Sequence, residues 1–257
     1  MTRNTVAPGD TGLERALRSA IEGEVRFDAF TRGIYATDAS HYQIEPLGVV
    51  FPKSADDVRA VLEVARTRGV PVLPRGGGTS QCGQTIGRAV VMDCARHLTG
   101  IGDTEGPGGG PPQGGRVGTD EMAAESAPTI DVEPGVVLDH LNAQLRDRGL
   151  WFPVDPSTGS RATLGGMAGN NSAGARSIQY GMMVHNVDAL EMVLPDGRTV
   201  WVGEGFDPAS VLPDETAALR ALYSREAEEI AVRTPRTMRN VAGYNLDRLA
   251  PAQENLA

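Results

Sequence analysis

The sequence predicts a mixed α/β fold, and three observations carry that prediction. A strand, a capped helix and a second strand follow one another between residues 49 and 73, the pattern of a parallel crossover. Strands and helices keep alternating to about residue 230. Glycine-rich segments lie directly beside predicted strands at residues 75–83 and 155–181.

The elements follow in order. Residues 11–22 read as a helix, because Leu13, Ala16, Leu17, Ala20 and Ile21 fall at helical spacing and Gly23 ends them. A short strand at 49–51 ends at Pro52. Ser54 and Asp57 have capping-box spacing, and Val58, Val61, Leu62 and Ala65 form one apolar helix face that Gly69 closes. Strands are expected at 70–73 and 89–93. Residues 102–119 hold 8 Gly and 3 Pro in 18 positions with no apolar period, which reads as a flexible surface insertion. A strand at 129–132 and a helix carrying Leu138, Leu141 and Leu145, closed by Gly149, come next. Strands at 189–194 and 199–202 flank Pro195-Asp196-Gly197-Arg198, a hairpin signal. A helix from 214 to about 230 carries Leu219, Leu222 and Tyr223, and the tail from Pro235 has no clear period.

Composition removes several function classes. The chain has 257 residues and a net charge of −9, which argues against non-specific nucleic-acid binding. No stretch approaches the ~20 apolar residues of a membrane span, and residues 1–10 show no apolar signal-peptide core. Lys53 is the sole lysine and has no Gly-Lys-Ser/Thr context, which excludes a Walker-type phosphate loop and disfavours Schiff-base chemistry. Cys82 and Cys94 form no CxxC, and His41, His97, His140 and His185 are mutually isolated, so no protein-ligated metal is expected. A reduced, cytoplasmic setting fits this cysteine usage.

The first glycine-rich segment is Pro74-Arg75-Gly76-Gly77-Gly78-Thr79-Ser80-Gln81-Cys82-Gly83-Gln84. Consecutive glycines let the backbone take positive φ and turn its N–H groups toward one point, with no side chain in the way. Thr79 and Ser80 add hydroxyls and Arg75 a permanent cation. A tight turn explains one or two glycines, not three followed by Thr-Ser, so the segment suits a phosphate or pyrophosphate. The dinucleotide pattern GxGxxG is not met, because position 81 is Gln. The second segment runs through Asp155-Pro156-Ser157-Thr158-Gly159, Leu164-Gly165-Gly166 and Asn170-Asn171-Ser172-Ala173-Gly174-Ala175-Arg176 to Tyr180-Gly181. Small side chains and amides there fit either contact with a flat ligand or tight packing. Ser172 lacks the GxSxG setting of a nucleophile.

Together with Val132-Glu133-Pro134-Gly135 and Gly243-Tyr244-Asn245-Leu246, these segments resemble the FAD-binding domain of the p-cresol methylhydroxylase/vanillyl-alcohol oxidase superfamily. Within it they are most similar to the glycolate oxidase and D-lactate/D-2-hydroxyglutarate dehydrogenase branch. The opening, Val25-Arg26-Phe27-Asp28 and Tyr35-Ala36-Thr37-Asp38-Ala39-Ser40, looks most like long bacterial members fused to an iron–sulfur domain. The likeness covers roughly residues 25–250, apart from 102–128.

The resemblance implies an α+β (mixed α/β) fold of the FAD-binding PCMH type, two α/β subdomains with the cofactor between them. Residues 1–24 would be an N-terminal helix and extension. Residues 25–257 would be the domain, truncated at its C-terminus, with a Gly/Pro-rich insertion at about 102–128. It implies FAD as cofactor, a small 2-hydroxy acid as substrate, hydride transfer to flavin N5, and an iron–sulfur domain or subunit as electron acceptor. The setting would be cytoplasmic, with any membrane association made through a partner. Backbone amides of Gly76, Gly77, Gly78, Thr79, Ser80 and Gly83, with Arg75 and Gln84, would hold the pyrophosphate. Asp155, Ser157, Thr158, Gly165, Gly166, Asn171, Ser172 and Gly174 would line the ribityl and isoalloxazine region, with Arg176 and Tyr180 as further candidates. An exposed Arg and a core Tyr are the plain alternatives for the last two.

The family's Gly-Ser-Glu-Gly-Thr segment and substrate-binding cap are absent from this sequence, so the catalytic residues are expected beyond residue 257. None of the histidines matches a family catalytic position; His185, just after Tyr180-Gly181, reads as an exposed loop residue, with a place near the cofactor as the alternative. Cys82 replaces a small apolar residue and is expected to act as one. Two other readings stand beside the dehydrogenase: an FAD-binding module without turnover, and a UDP-sugar reductase of the same fold.

Overall fold

The computed structural model describes residues 6–105, 115–116, 128–237 and 244–250. Helix α1 (Thr11–Ala20) begins at Asp10, whose carboxylate accepts from the Leu13 amide, and it buries Leu13 and Leu17. Strand β1 (Glu24–Arg26) and helix α2 (Ala29–Tyr35) follow, and neither has a clear periodic signal. Strand β2 (Gly48–Phe51) leads into α3 (Ala55–Arg68), capped by the Ser54 hydroxyl and closed by Gly69 in left-handed backbone, φ +64°. Strands β3 (Val72–Arg75) and β4 (Val90–Asp93) complete the first sheet.

Its order is β1-β2-β4-β3, with β2, β4 and β3 parallel and β1 antiparallel at the edge. The crossover through α3 is present, but it skips one position, which β4 fills. Val49-Val50-Phe51 and Val90-Val91-Met92 are buried throughout because both faces are covered, as parallel sheets require. Val50, Val90 and Met92 pack with Leu13, Leu17 and Val61, while Val49, Phe51 and Val91 pack with Tyr35 on the other face.

The capping-box expectation is half right. Ser54 Oγ accepts from the Asp57 amide, but the Asp57 carboxylate does not return the bond to Ser54. It accepts instead from the amides of Glu22, Gly23 and Lys53 at 2.8, 3.0 and 2.8 Å. Asp57 is 4% exposed, so this tertiary use fastens the end of α1 to the start of α3.

The second unit is a three-stranded antiparallel sheet of β5 (Ile101–Glu105), β6 (Gly115–Arg116) and β7 (Thr129–Val132), ordered β5-β7-β6. The Gly/Pro-rich stretch is therefore not simply a surface insertion. Its described flanks pair with the two edges of β7, and the remainder lies outside the described residues. Helices α4 (Leu138–Arg146) and α5 (Leu164–Gly169) build its core, with Leu138, Leu141, Leu145, Phe152, Leu164 and Met167 around Ile130. Short helix α6 (Ser177–Tyr180) precedes the expected hairpin, β8 (Ala189–Val193) with β9 (Thr199–Gly203). Helices α7 (Pro208–Val211) and α8 (Pro213–Arg233) follow. Gly243 of the Gly-Tyr-Asn-Leu element lies outside the described residues, and Tyr244 is exposed. Among the described residues no helix is long and apolar enough to cross a membrane.

Candidate functional site

The parallel strands β3 and β4 end side by side at Arg75 and Asp93, and the chain beyond each faces the second unit. Open α/β sheets bind ligands at such carboxyl ends. Here a cleft of 640 Å³ forms between the loop after β3 and the 156–173 segment. That volume lies within the roughly 300–1,000 Å³ usual for ligand sites.

Of the residues expected at the site, Arg75, Gly76, Gly77, Gly78, Thr79, Ser80 and Gln84 line one wall, and Thr158, Gly165, Gly166, Asn171 and Ser172 the other. Gly83, Asp155, Ser157, Gly174, Arg176 and Tyr180 lie outside the lining. Thr85, Cys94, Ala162, Thr163, Met167, Asn170 and Ala173 line it without having been singled out from sequence. The carboxyl end of β4 signals Cys94 only once the strand order is known, and Thr85 lies within the β3–β4 loop without a local signal. Thr163 has a local signal, since it is the N-cap of α5. Pro134 also lines the cleft, and it belongs to the Val-Glu-Pro-Gly element.

The first wall is a backbone nest. Among the described residues, the amides of Gly76, Gly77, Gly78, Thr79 and Ser80 donate to no partner. The glycines are needed there mostly for a reason the sequence did not suggest. Only Gly78 (φ +65°) and, beyond it, Gly83 (φ +73°) use left-handed backbone. At Gly76 a Cβ would lie 2.1 Å from Thr163 Oγ1, and at Gly77 2.1 Å from the Arg161 carbonyl oxygen. These two glycines let the loops of the two units touch.

Arg75 holds this loop from within. Its Nη1 donates to the carbonyl oxygens of Thr37 at 2.9 Å and Thr85 at 3.3 Å, and its guanidinium lies 4.9 Å from the Tyr35 ring centre. The Tyr35 hydroxyl donates to Asp93, and burial together with that carboxylate pushes its pKa well up. Burial, reinforced by the Asp93 charge, raises the Cys94 thiol to about 11, so Cys94 is a neutral thiol in the cleft wall. Cys82 is exposed, contrary to its expected role as a small hydrophobe. Its amide bonds Ser80 Oγ within a tight turn ahead of Gly83, which faces the side chain to solvent. Burial pushes the Asp38 carboxyl up, but hydrogen bonds from Ser40 and Thr85 outweigh it and hold it below the ordinary value.

The second wall has its amides already engaged. Leu164 N donates to Val136 O (2.8 Å), Gly165 N to Pro134 O (2.9 Å) and Met167 N to Thr163 O (2.8 Å). A Cβ on Gly165 would meet Pro134 at 2.5 Å. Asn171 is the polar exception. Its backbone is left-handed (φ +48°), its Oδ1 accepts from Val184 N, and its buried Nδ2 has no partner. Asp155 braces this wall: its Oδ1 accepts from Arg176 N at 2.9 Å, and Gly174 packs directly on it. The Arg176 guanidinium lies over Trp151, which meets Tyr180 edge-on at 5.0 Å. Exposed His185 accepts from Met182 N through Nδ1, and burial and Arg248 lower its pKa.

The arrangement fits a dinucleotide-sized anionic cofactor. A side-chain-free cradle presents unpaired amides, and the opposite lining includes Asn171, whose buried Nδ2 has no partner. A model of the FAD binding domain matches residues 46–203. The D-2-hydroxyglutarate dehydrogenase of Pseudomonas putida is 31% identical over 264 residues, which span 97% of this chain and 24% of that protein. The Bacillus subtilis glycolate oxidase subunit GlcD is 30% identical, over 71% of this chain and 36% of its own. This chain thus spans about a quarter of the first relative's length and about a third of the second's. An alkyldihydroxyacetonephosphate synthase structure superposes with a TM-score of 0.59 at 20% identity, covering 76% of this chain and 35% of that one. A BBE-like protein of Physcomitrella patens superposes at 0.57, also at 20% identity, over 74% and 37%. Those two likenesses show the fold alone, a mixed α/β architecture. The match over residues 46–203 takes in the nest and the opposing wall together, and the chain belongs to the FAD binding domain family.

Proposed function

We propose that this chain is the FAD-holding part of a flavin-dependent dehydrogenase acting on a 2-hydroxy acid of the D-2-hydroxyglutarate, D-lactate or glycolate type. The row of open amides from Gly76 to Ser80 carries the reading. Unpaired N–H groups in a side-chain-free concavity are suited to a pyrophosphate and to little else of that shape. The substrate class rests on the names of the relatives.

The geometry supports the following roles. The nest neutralises the phosphates, while Arg75 keeps the loop in place and adds a fixed positive charge beside it. Gln84 closes the nest's outer end with Ser80, to which it is hydrogen bonded. Thr158, Gly165, Gly166 and Ser172 present a low wall against which a flat ring could lie, and Asn171, whose Nδ2 has no partner, would supply a donor there. Asp155, Gly174, Arg176 and Tyr180 act one layer back by holding that wall, Ser157 adjoins it in sequence, and Gly83 belongs to the far end of the glycine loop. When bound, the flavin supplies the acceptor for the substrate's Cα hydride. The protein's part is orientation and electrostatics. Residues 25–257 are proposed as the domain with its insertion at about 102–128. Residues 1–24 are proposed as an N-terminal extension, whose helix α1 packs on the first sheet through Leu13 and Leu17. An iron–sulfur domain or subunit is the proposed electron acceptor, and the cytoplasm the proposed setting.

The test is spectroscopic. The purified chain should show bound-flavin absorbance, and in the intact dehydrogenase D-2-hydroxyglutarate, D-lactate or glycolate should bleach it in the absence of oxygen. No flavin uptake overturns the cofactor site. Bound flavin that no hydroxy acid bleaches leaves a binding module without turnover.

A further inference from the structure

Residues 37–42, just after α2, lie against the outside of the glycine loop. This strap is closed on itself: Thr37 bridges Gln43 across its neck, Ile44 N donates to Ala36 O at 2.9 Å, and Ser40 N donates to Asp38 Oδ1 at 2.8 Å. It grips the loop at several points. Asp38 Oδ2 accepts from Thr85 Oγ1 at 3.0 Å and from Thr85 N at 3.4 Å. Ala39 N donates to Gly78 O at 3.1 Å, and Thr37 O accepts from Arg75. The Tyr42 ring lies on Gly83, where an added Cβ would sit 2.8 Å from a ring carbon.

The Ala39–Gly78 bond sets a direction. A trans peptide places its C=O and the following N–H on opposite sides. With Gly78 O drawn toward the strap, the Thr79 N–H points away from it. The bond from Cys94 N to Arg75 O, at 3.0 Å, orients the Gly76 N–H in the same manner. A loop with three adjacent glycines has many conformations open to it, and clamps of this kind remove them.

We propose that Asp38 is a positioning residue for the nest: through Thr85 it locks the strap onto the glycine loop, so that the amides are aimed before the pyrophosphate arrives. This rests on the reading of the cleft as the FAD site. Donors fixed in advance cost no ordering when the ligand binds. Asp38 is not among the residues that line the cleft and acts only through the loop.

The full chain is compared with Asp38→Ala, Thr85→Val and Thr85→Ser, with FAD and ADP as probes and the melting temperature of the cofactor-free protein as control. Asp38→Ala and Thr85→Val should bind FAD about tenfold more weakly. ADP, which carries the pyrophosphate without the flavin, should lose the same factor. Thr85→Ser keeps the hydroxyl and should recover the parent affinity. Unchanged FAD affinity in Thr85→Val overturns the proposal, as does a loss for FAD that ADP does not share. A loss that Thr85→Ser fails to recover overturns it as well. Should Asp38→Ala not fold, the near-isosteric Thr85 pair carries the same test. A parent chain that takes up no FAD overturns the cofactor reading and this proposal together, whereas FAD held equally by parent and variants overturns the strap alone.

Discussion

The two glycine-rich segments face each other across one cleft and are built in opposite ways. Residues 76–80 leave their amides open, while the first turn of α5 has its amides bonded to Val136, Pro134 and Thr163. On the proposed reading the first wall would recognise charge through its backbone and the second shape, with Asn171 as the candidate polar contact. The same composition therefore serves two ends. What the segments share is close approach: Gly76 and Gly77 admit Thr163 and Arg161, Gly165 admits Pro134, and Gly174 admits Asp155. Most of these glycines are required by a neighbour distant in sequence, and Gly78 is the one in the nest that left-handed backbone demands.

Substituting a seam glycine should break the comparison hardest. Gly77→Ala places a methyl on the Arg161 carbonyl, a backbone atom that cannot step aside. It should cost about 3 kcal/mol, or roughly 6–12 °C in Tm, and separate the two walls. Gly169→Ala, in α5 with nothing within 4 Å of the added methyl, should leave Tm unchanged or slightly raised. Equal losses at both positions, measured by thermal unfolding, would show that conformational freedom and not the seam is what these glycines supply.

A smaller effect should separate the two modes of recognition. Asn171→Asp keeps the acceptor for Val184 N and replaces the orphaned donor with an anionic oxygen. FAD binding should weaken about tenfold with the fold intact, as titrated by flavin fluorescence. Undiminished affinity would remove Asn171 from the site and leave the nest as the sole polar recognition element.

The smallest effect is acid sensitivity of the first wall. Asp38 has a lowered folded pKa, so its contribution to stability is fully present above the ordinary carboxylate value of about 3.9 and is lost as pH falls through the lower folded value. Between pH 5 and 3, Tm should fall less steeply for Asp38→Asn than for the parent. Parallel curves would mean that Asp38 is not held by Ser40 and Thr85 in solution.

Much of this architecture is local in origin and could be read from the sequence. The Ser54 cap, the Gly69 stop, the Pro195–Arg198 hairpin and the Leu138-Leu141-Leu145 face depend on residues within a turn or two of each other. So does the placing of glycine and hydroxyl residues immediately after β3, which marked the first wall of the cleft. The tertiary structure alone decided the rest, because each remaining feature needs a partner far along the chain. It set β4 between β2 and β3. It turned Asp57 from a capping residue into an acceptor for Glu22, Gly23 and Lys53. It placed Asp155, Arg176 and Tyr180 outside the cleft lining, and it brought the 37–42 strap onto the loop. It also determined which amides are already bonded and which remain open. Local sequence places a donor, but only the packed chain shows whether an acceptor from elsewhere has reached it.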